Sequence, residues 1–217
     1  MMTKGTSAHF PYNFIVALLM LSALLVLPAQ SQAMTVTELD FTNGSVALLR
    51  NGNPLLSSNF TTNGQIVMGQ YQPLPNIIPA ILLGSPPLQY TFSLFTSGPN
   101  PAPTSSTSGS TITADLNALG AKLTGPLISA SGLMMNIGGN ATGTFNETTN
   151  AFTGLTWTHA LTGVTGLPST WGSPSSLALR FTLNGAAQIA AVPLPGAALL
   201  FLSGLSGLAL MRKRVAA

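Results

Sequence analysis

Short stretches that alternate between apolar and polar residues recur along residues 34–191, and they constrain the fold more than any other feature. Gly, Pro, Asn and Ser separate these stretches at intervals of roughly 10–20 residues. Alternation with a period of two is typical of a half-buried strand, whereas a soluble helix needs a longer amphipathic run. The sequence therefore predicts an all-β domain, which we interpret as an antiparallel β-sandwich.

The clearest strand is LQYTFSLFT at residues 88–96, in which every second side chain belongs to one face. Asn43-Gly44 lies between two strand-like runs and predicts a hairpin turn, because both residue types tolerate the positive φ of a type I′ turn. A second hairpin is expected where strands at 140–150 and 151–161 meet.

Two segments between the strands are rich in residues that interrupt them. Residues 72–87 contain five prolines and predict an irregular crossover, because proline cannot donate within a central strand. Residues 97–110 are rich in Ser, Gly and Pro and predict a mobile loop. A last strand at residues 176–190 is expected to complete the domain.

Charge is scarce in the middle of the chain. Three cations and four acids give residues 34–191 a net charge of 3 − 4 = −1: Arg50, Lys122, Arg180, Glu38, Asp40, Asp115 and Glu147. No basic patch is present to neutralise phosphates, so we predict no nucleic-acid partner. The chain contains no cysteine, which excludes a disulfide framework and a thiolate metal site.

The residues that could perform chemistry are few. His159 is the one histidine of the middle segment, and a Ser/His/Asp arrangement with Asp40 or Asp115 is arithmetically possible. However, no Gly-x-Ser-x-Gly elbow is present, and a lone histidine near Trp157 is typical of a packed residue. We predict that the protein is not an enzyme and that it has no catalytic residue, metal site or cofactor.

The acids and aromatics leave binding alternatives open. Glu38 and Asp40 are two residues apart and would share one strand face, as solvated edge residues or as contacts for a cation. Trp171, in the loop LPSTWGSP, is our candidate for an exposed platform that stacks on sugar rings. The alternative is that Trp171 belongs to the core, as most aromatics of β-domains do.

Residues 1–33 have the three parts of a secretory signal peptide. Lys4 supplies a positive leader, residues 14–27 form an apolar run, and Ser31 and Ala33 are the small residues of a signal-peptidase site. An uncleaved N-terminal anchor is the alternative, although the run is shorter than a spanning helix needs. The sequence thus predicts export by the Sec machinery and cleavage after Ala33.

Residues 192–217 form a second tripartite segment. The Pro-x-Pro motif comprises Val192, Pro193, Leu194, Pro195 and Gly196. The apolar run at residues 197–211 follows it, and a helix there would span about 22 Å. Arg212, Lys213 and Arg214 then form a stop-transfer cluster that stays cytoplasmic by the positive-inside rule.

This order of motif, apolar segment and basic cluster resembles the PEP-CTERM sorting signal of Gram-negative bacteria. The motif is similar to the Val-Pro-Leu-Pro-Ala variant of that signal, from which Gly196 departs. The resemblance implies processing by an exosortase, an integral-membrane cysteine protease, which would cut near the motif. It also implies an association with exopolysaccharide and biofilm.

The sequence therefore predicts a signal peptide (1–33), an exported β-sandwich (34–191) and a transmembrane sorting helix with its flanks (192–217). We expect an inner-membrane intermediate with its N-terminus outside and its C-terminus inside, followed by release to the cell surface or the extracellular matrix. Two alternatives stay open: a permanently membrane-anchored domain that binds carbohydrate, and a secreted hydrolase.

Overall fold

Eleven β-strands and two single-turn 3₁₀ helices make up the part of the chain that the computed structural model describes, residues 33–74 and 77–190. The strands are β1 (Met34–Arg50), β2 (Asn53–Val67), β3 (Ile78–Leu83), β4 (Tyr90–Thr96), β5 (Thr104–Ser108), β6 (Thr111–Asp115), β7 (Leu119–Thr124), β8 (Leu133–Asn136), β9 (Asn140–Asn146), β10 (Ala151–Ala160) and β11 (Leu177–Ile189). The 3₁₀ helices are Ser169–Trp171 and Pro174–Ser176. The predicted all-β class is thus confirmed.

The larger sheet has seven strands in the order β11-β10-β9-β6-β5-β1-β2 and closes on itself. β1 pairs with β5 over residues 34–36 and with β11 over residues 36–50, so that six antiparallel strands form a barrel. β2 continues the sheet beyond β1. The predicted sandwich did not include this closure, which requires pairing between the first and the last strand.

The second sheet has four antiparallel strands in the order β3-β4-β7-β8 and shares one core with the barrel. Phe181 of β11 connects the two parts of this core. Its ring stacks on Trp157 at a centroid distance of 5.1 Å, and it meets Phe92 of β4 edge to face at 6.3 Å. All three side chains are almost fully buried. This aromatic cluster therefore belongs to the core that the barrel and the second sheet share.

The hairpin turn predicted at Asn43-Gly44 is wrong, because β1 continues through both residues. Gly44 is needed there for a close approach: a Cβ atom would lie 2.3 Å from the carbonyl oxygen of Thr182. The chain turns instead at Asn51-Gly52, where φ values of 51° and 81° fit a type I′ turn. Both Asn-Gly pairs fit the sequence pattern of a hairpin turn. Pairing with β2 and β11 keeps the first pair extended, and the chain turns at the second pair.

Two predicted loops contain strands. The proline-rich segment 72–87 includes β3, which tolerates Pro79 because β3 is the edge strand of its sheet. The segment 97–110 includes β5, whose backbone is paired on both sides by β1 and β6. Neighbouring strands therefore order segments whose composition alone indicates a loop.

Three predictions from local pattern are confirmed. In residues 88–96, the strand β4 alternates between buried and half-buried side chains, although it begins at Tyr90. The hairpin joins β9 and β10, with Asn146 opposite Ala151. The last predicted strand, 176–190, corresponds to β11.

The two terminal signals lie outside the described residues. This applies to Ser31 of the signal-peptidase site, to the motif residues 192–196 and to the basic cluster 212–214. Of the residues predicted at these ends only Ala33 is described, and it is exposed. Both signals stay predictions from sequence.

Thr107 of β5 is almost fully buried, and its hydroxyl has no hydrogen-bond partner in the described part of the chain. A buried hydroxyl without a partner carries a desolvation penalty of about 1–3 kcal/mol. We therefore predict that Thr107→Val, which keeps the shape and the β-branch, raises the free energy of unfolding by about 1 kcal/mol or more. Chemical denaturation of the two proteins measures this, and a loss of stability would contradict it.

Gly185 of β11 lies opposite Phe41 of β1 and Phe152 of β10, at the point where both neighbouring strands bulge. A Cβ atom at Gly185 would lie 2.0 Å from the carbonyl oxygen of Asp40. We predict that Gly185→Ala destabilises the fold by about 2–3 kcal/mol, because the backbone must shift. The control is Ala186→Ser, whose half-buried side chain faces the other way, and we expect a change within about 0.5 kcal/mol. Equal melting temperatures for Gly185→Ala and the parent would refute the prediction.

Candidate functional site

Hydroxyl side chains form two parallel rows on the outside of four neighbouring barrel strands, β5, β6, β9 and β10. In each row, every residue lies directly opposite the next across the strand ladder. The first row is Ser106, Thr113, Thr142 and Thr156, and the second row is Ser108, Thr111, Thr144 and Thr153. We call these eight residues the hydroxyl surface.

The inward residues of the same strands explain why the hydroxyls face outward. Ile112, Ala141 and Phe145 are buried in the core, and the residues that alternate with them point to the other side of the sheet. Six of the eight surface residues are exposed, and Ser106 and Thr156 are half-buried. Burial of Ile112, Ala141 and Phe145 therefore fixes the register of these strands, and this register aligns the hydroxyls of neighbouring strands.

Hydrogen bonds between neighbouring strands hold several of these side chains in place. The hydroxyl oxygens of Thr144 and Thr153 are 2.6 Å apart, and those of Ser106 and Thr113 are 3.2 Å apart. The hydroxyls of Thr111 and Thr142 have no partner elsewhere in the described part of the chain. The surface thus combines fixed side chains with hydroxyls that are available to a ligand.

The first row continues around the barrel beyond these four strands. Thr182 lies opposite Thr156, Ser45 opposite Thr182, and Asn59 opposite Ser45. At its other end, Thr35 of β1 lies opposite Ser106. A neutral polar side chain therefore occupies this register position on every strand of the larger sheet.

Charged residues are absent from the hydroxyl surface and rare around it. The sequence has no Asp, Glu, Lys, Arg or His between Arg50 and Asp115. Asp115, at the end of β6, and Glu147, in the turn between β9 and β10, border the surface. Arg180 of β11 is exposed and lies opposite Thr158 of β10, so one cation borders the surface as well. The four strands themselves carry no Lys or Arg.

A shallow depression of about 390 Å³ lies within the surface, between β5, β6 and β9. Ser106, Thr113 and Thr142 line it, and Asp115 and Asn140 lie at its end. Small molecules usually bind in deeper and more apolar pockets. The shape of this site is better suited to contact along an extended ligand.

The platform predicted at Trp171 is wrong. Trp171 is 3% exposed, and its indole packs edge to face on the buried ring of Tyr90 at a centroid distance of 4.8 Å. The 3₁₀ turn Ser169–Trp171 directs the side chain into the core. The loop composition indicated exposure, but the tertiary contact with Tyr90 could not be read from the sequence.

Other aromatic residues are distributed between core and surface. Trp157 is buried, whereas Tyr71 is 48% exposed and donates its hydroxyl to the carbonyl oxygen of Asn100. Sequence reasoning missed Phe95, a half-buried ring that lies over Gly120 on the outer face of the second sheet. The alternation of residues in β4 puts Phe95 on the face opposite the core residues, and this pattern could have identified it from the sequence.

In the described part of the chain, the hydrogen-bond partner of the His159 ring is a backbone carbonyl and not an acid. Its Nδ1 lies 2.7 Å from the carbonyl oxygen of Gly138, and the neighbouring Trp157 donates Nε1–H to Ile137. Asp115 accepts hydrogen bonds from Asn117, and Asp40 accepts one from Gln188. The histidine and both candidate acids thus have structural partners of their own.

Glu38 and Asp40 do share one strand face, but they are not edge residues. β1 lies between β2 and β11 over this stretch. Glu38 accepts a hydrogen bond from the amide of Gln65, and Asp40 accepts one from Gln188 at 3.0 Å. Within residues 33–74 and 77–190, no three His, Asp or Glu side chains are grouped as a metal site would require.

No protein-family model, curated protein or solved structure matches the chain. Among the residues described here, no helix has the length and apolar character needed to cross a membrane.

Burial of Trp171 generates a prediction about stability. We expect Trp171→Ala to lower the free energy of unfolding by about 3–5 kcal/mol, because a large buried ring is lost and a cavity remains. The control is Leu88→Ala, since Leu88 is 52% exposed and its truncation should change stability by less than about 0.5 kcal/mol. Urea denaturation followed by tryptophan fluorescence of Trp157 measures both, and a Trp171→Ala protein as stable as its parent would show that the ring is not part of the core.

Proposed function

We propose that this chain is an exported, non-enzymatic protein of the cell surface or extracellular matrix. The observation that carries the proposal is the hydroxyl surface: a broad, uncharged, ordered sheet face whose groups bind by hydrogen bonds. Such a face is suited to lasting contact with a hydrated polymer. It offers neither the activated nucleophile nor the paired acid and base that catalysis uses.

The two ends of the sequence support the location. Residues 1–33 have the pattern of a signal peptide, and residues 192–217 resemble a PEP-CTERM sorting signal of the Val-Pro-Leu-Pro-Ala type. We propose that the Sec machinery and signal peptidase process the first, and that an exosortase processes the second. On this proposal the β-domain, pictured as a sandwich of barrel and second sheet, passes through a membrane-bound intermediate before release.

The composition of the domain agrees with a role outside the cell. It contains no cysteine, so its stability does not depend on the redox state of the compartment. Its shared core includes Phe92, Trp157 and Phe181 from both sheets. Exopolysaccharide is the partner that the sorting-signal resemblance implies, and the hydroxyl surface supplies groups that suit it.

The proposal predicts the mature chain. Intact-mass spectrometry of the protein from its native host should give a chain that begins at Met34 and lacks the cluster Arg212, Lys213 and Arg214. The reason is that each signal is removed after it has been used. A mature protein that keeps the basic cluster would instead indicate the permanent anchor.

A matched pair of variants tests whether the motif is responsible. Replacing Pro193 and Pro195 by alanine should leave the C-terminal segment attached, because the motif is changed while the apolar run and basic cluster are kept. Replacing Pro86 and Pro87, which lie between β3 and β4, should leave the processing of exported chains unchanged. Normal processing of the Pro193/Pro195 variant would refute the proposed motif.

A further inference from the structure

We propose that the hydroxyl surface binds a neutral polysaccharide chain laid across strands β5, β6, β9 and β10. This inference rests on the proposed function, since it requires an exported domain, and it adds the ligand class and the surface. Neither the resemblance at the C-terminus nor any aromatic residue contributes to it. It follows from the strand register of the eight hydroxyl residues, from the absence of charge among them and from their exposure to solvent.

Charge selects the ligand class. No Lys or Arg lies on the four strands. The bordering charges are two acids, Asp115 and Glu147, and one cation, Arg180 of β11, so their sum is 1 − 2 = −1. A polymer of uronates, sulfates or phosphates would find no cation within the two rows and would meet a border of net negative charge. A neutral sugar polymer carries hydroxyls that both donate and accept, as the side chains of Ser and Thr do.

The size of the contact selects a polymer over a short sugar. A single hydrogen bond contributes little net free energy, whereas association costs several times as much in lost translational and rotational freedom. The depression at Ser106, Thr113 and Thr142 is shallow and holds no exposed aromatic ring. Affinity therefore has to come from many contacts along both rows, which recur at the strand spacing of about 4.8 Å.

The surface is organised before the ligand arrives. Threonine is β-branched and stiff at χ1, and the bonds between Thr144 and Thr153 and between Ser106 and Thr113 restrict it further. Binding therefore costs little side-chain entropy. Neutral hydroxyls also cost less to remove from water than charges would, which favours a broad flat contact.

The test uses co-sedimentation of the full chain, purified in detergent, with insoluble polysaccharides. We expect binding to a neutral polymer, with microcrystalline cellulose and curdlan as probes, and no binding to calcium alginate as the anionic probe. Cellobiose in solution should not compete, because it spans too few contacts.

Two isosteric double variants isolate the surface. Thr113 and Thr142 lie opposite each other across β6 and β9, and Thr91 and Thr124 lie opposite each other across β4 and β7 on the outer face of the second sheet. Thr113→Val with Thr142→Val should weaken binding by roughly tenfold or more, since two hydroxyl contacts are lost. Thr91→Val with Thr124→Val should leave binding unchanged.

Each result decides between the inference and its rivals. Loss of binding in the first double variant alone, with unchanged melting temperatures, supports the inference. Equal loss in both variants, binding only to alginate, sedimentation without polymer, or no binding to either neutral probe would overturn it. Such a failure leaves the proposed function standing when mass spectrometry shows normal processing of both ends, whereas a chain that is not exported defeats the proposed function itself.

Discussion

The pairing of β1 with β11 is the constraint on which the rest of the structure depends. β1 is hydrogen-bonded along most of its length to a strand that the chain reaches only at residue 177, and the barrel closes through this ladder. β5, β6, β9 and β10 lie side by side through their own ladders, and closure gives their apolar residues an enclosed interior to face. Side chains alternate between the two faces of each strand, so the hydroxyl surface consists of the residues that face outward. Because the ladder joins residues about 140 positions apart, loop-closure entropy opposes it until the last strand is available.

The sequence pattern correctly predicted features that depend on residues close together in the chain. The alternation in β4 and the β9–β10 hairpin are properties of neighbouring residues, and both were predicted correctly. The Asn43-Gly44 prediction was wrong because the next strand, β2, and the distant strand β11 flank that dipeptide and hold it extended. The sequence could not align Thr113 with Thr142, since their opposition follows from the pairing of β6 with β9. The burial of Trp171 against Tyr90 could not be predicted either, because the two residues are far apart in the sequence and meet in the folded chain.

The proposed location and the proposed contact belong to different parts of the chain. On the proposed function, the two ends would carry routing information for membrane enzymes, and the PEP-CTERM resemblance covers residues 192–217. The proposed binding face belongs to the β-domain and includes none of those residues.

The absence of charged side chains from the two hydroxyl rows has a consequence for the conditions under which the proposed contact would hold. Dissolved ions weaken attraction between charges and leave contacts between neutral dipoles nearly untouched. Serine and threonine hydroxyls also keep their protons at any pH at which a cell lives. Adhesion through such a face would hold equally in fresh water, in brine and in an acidified film.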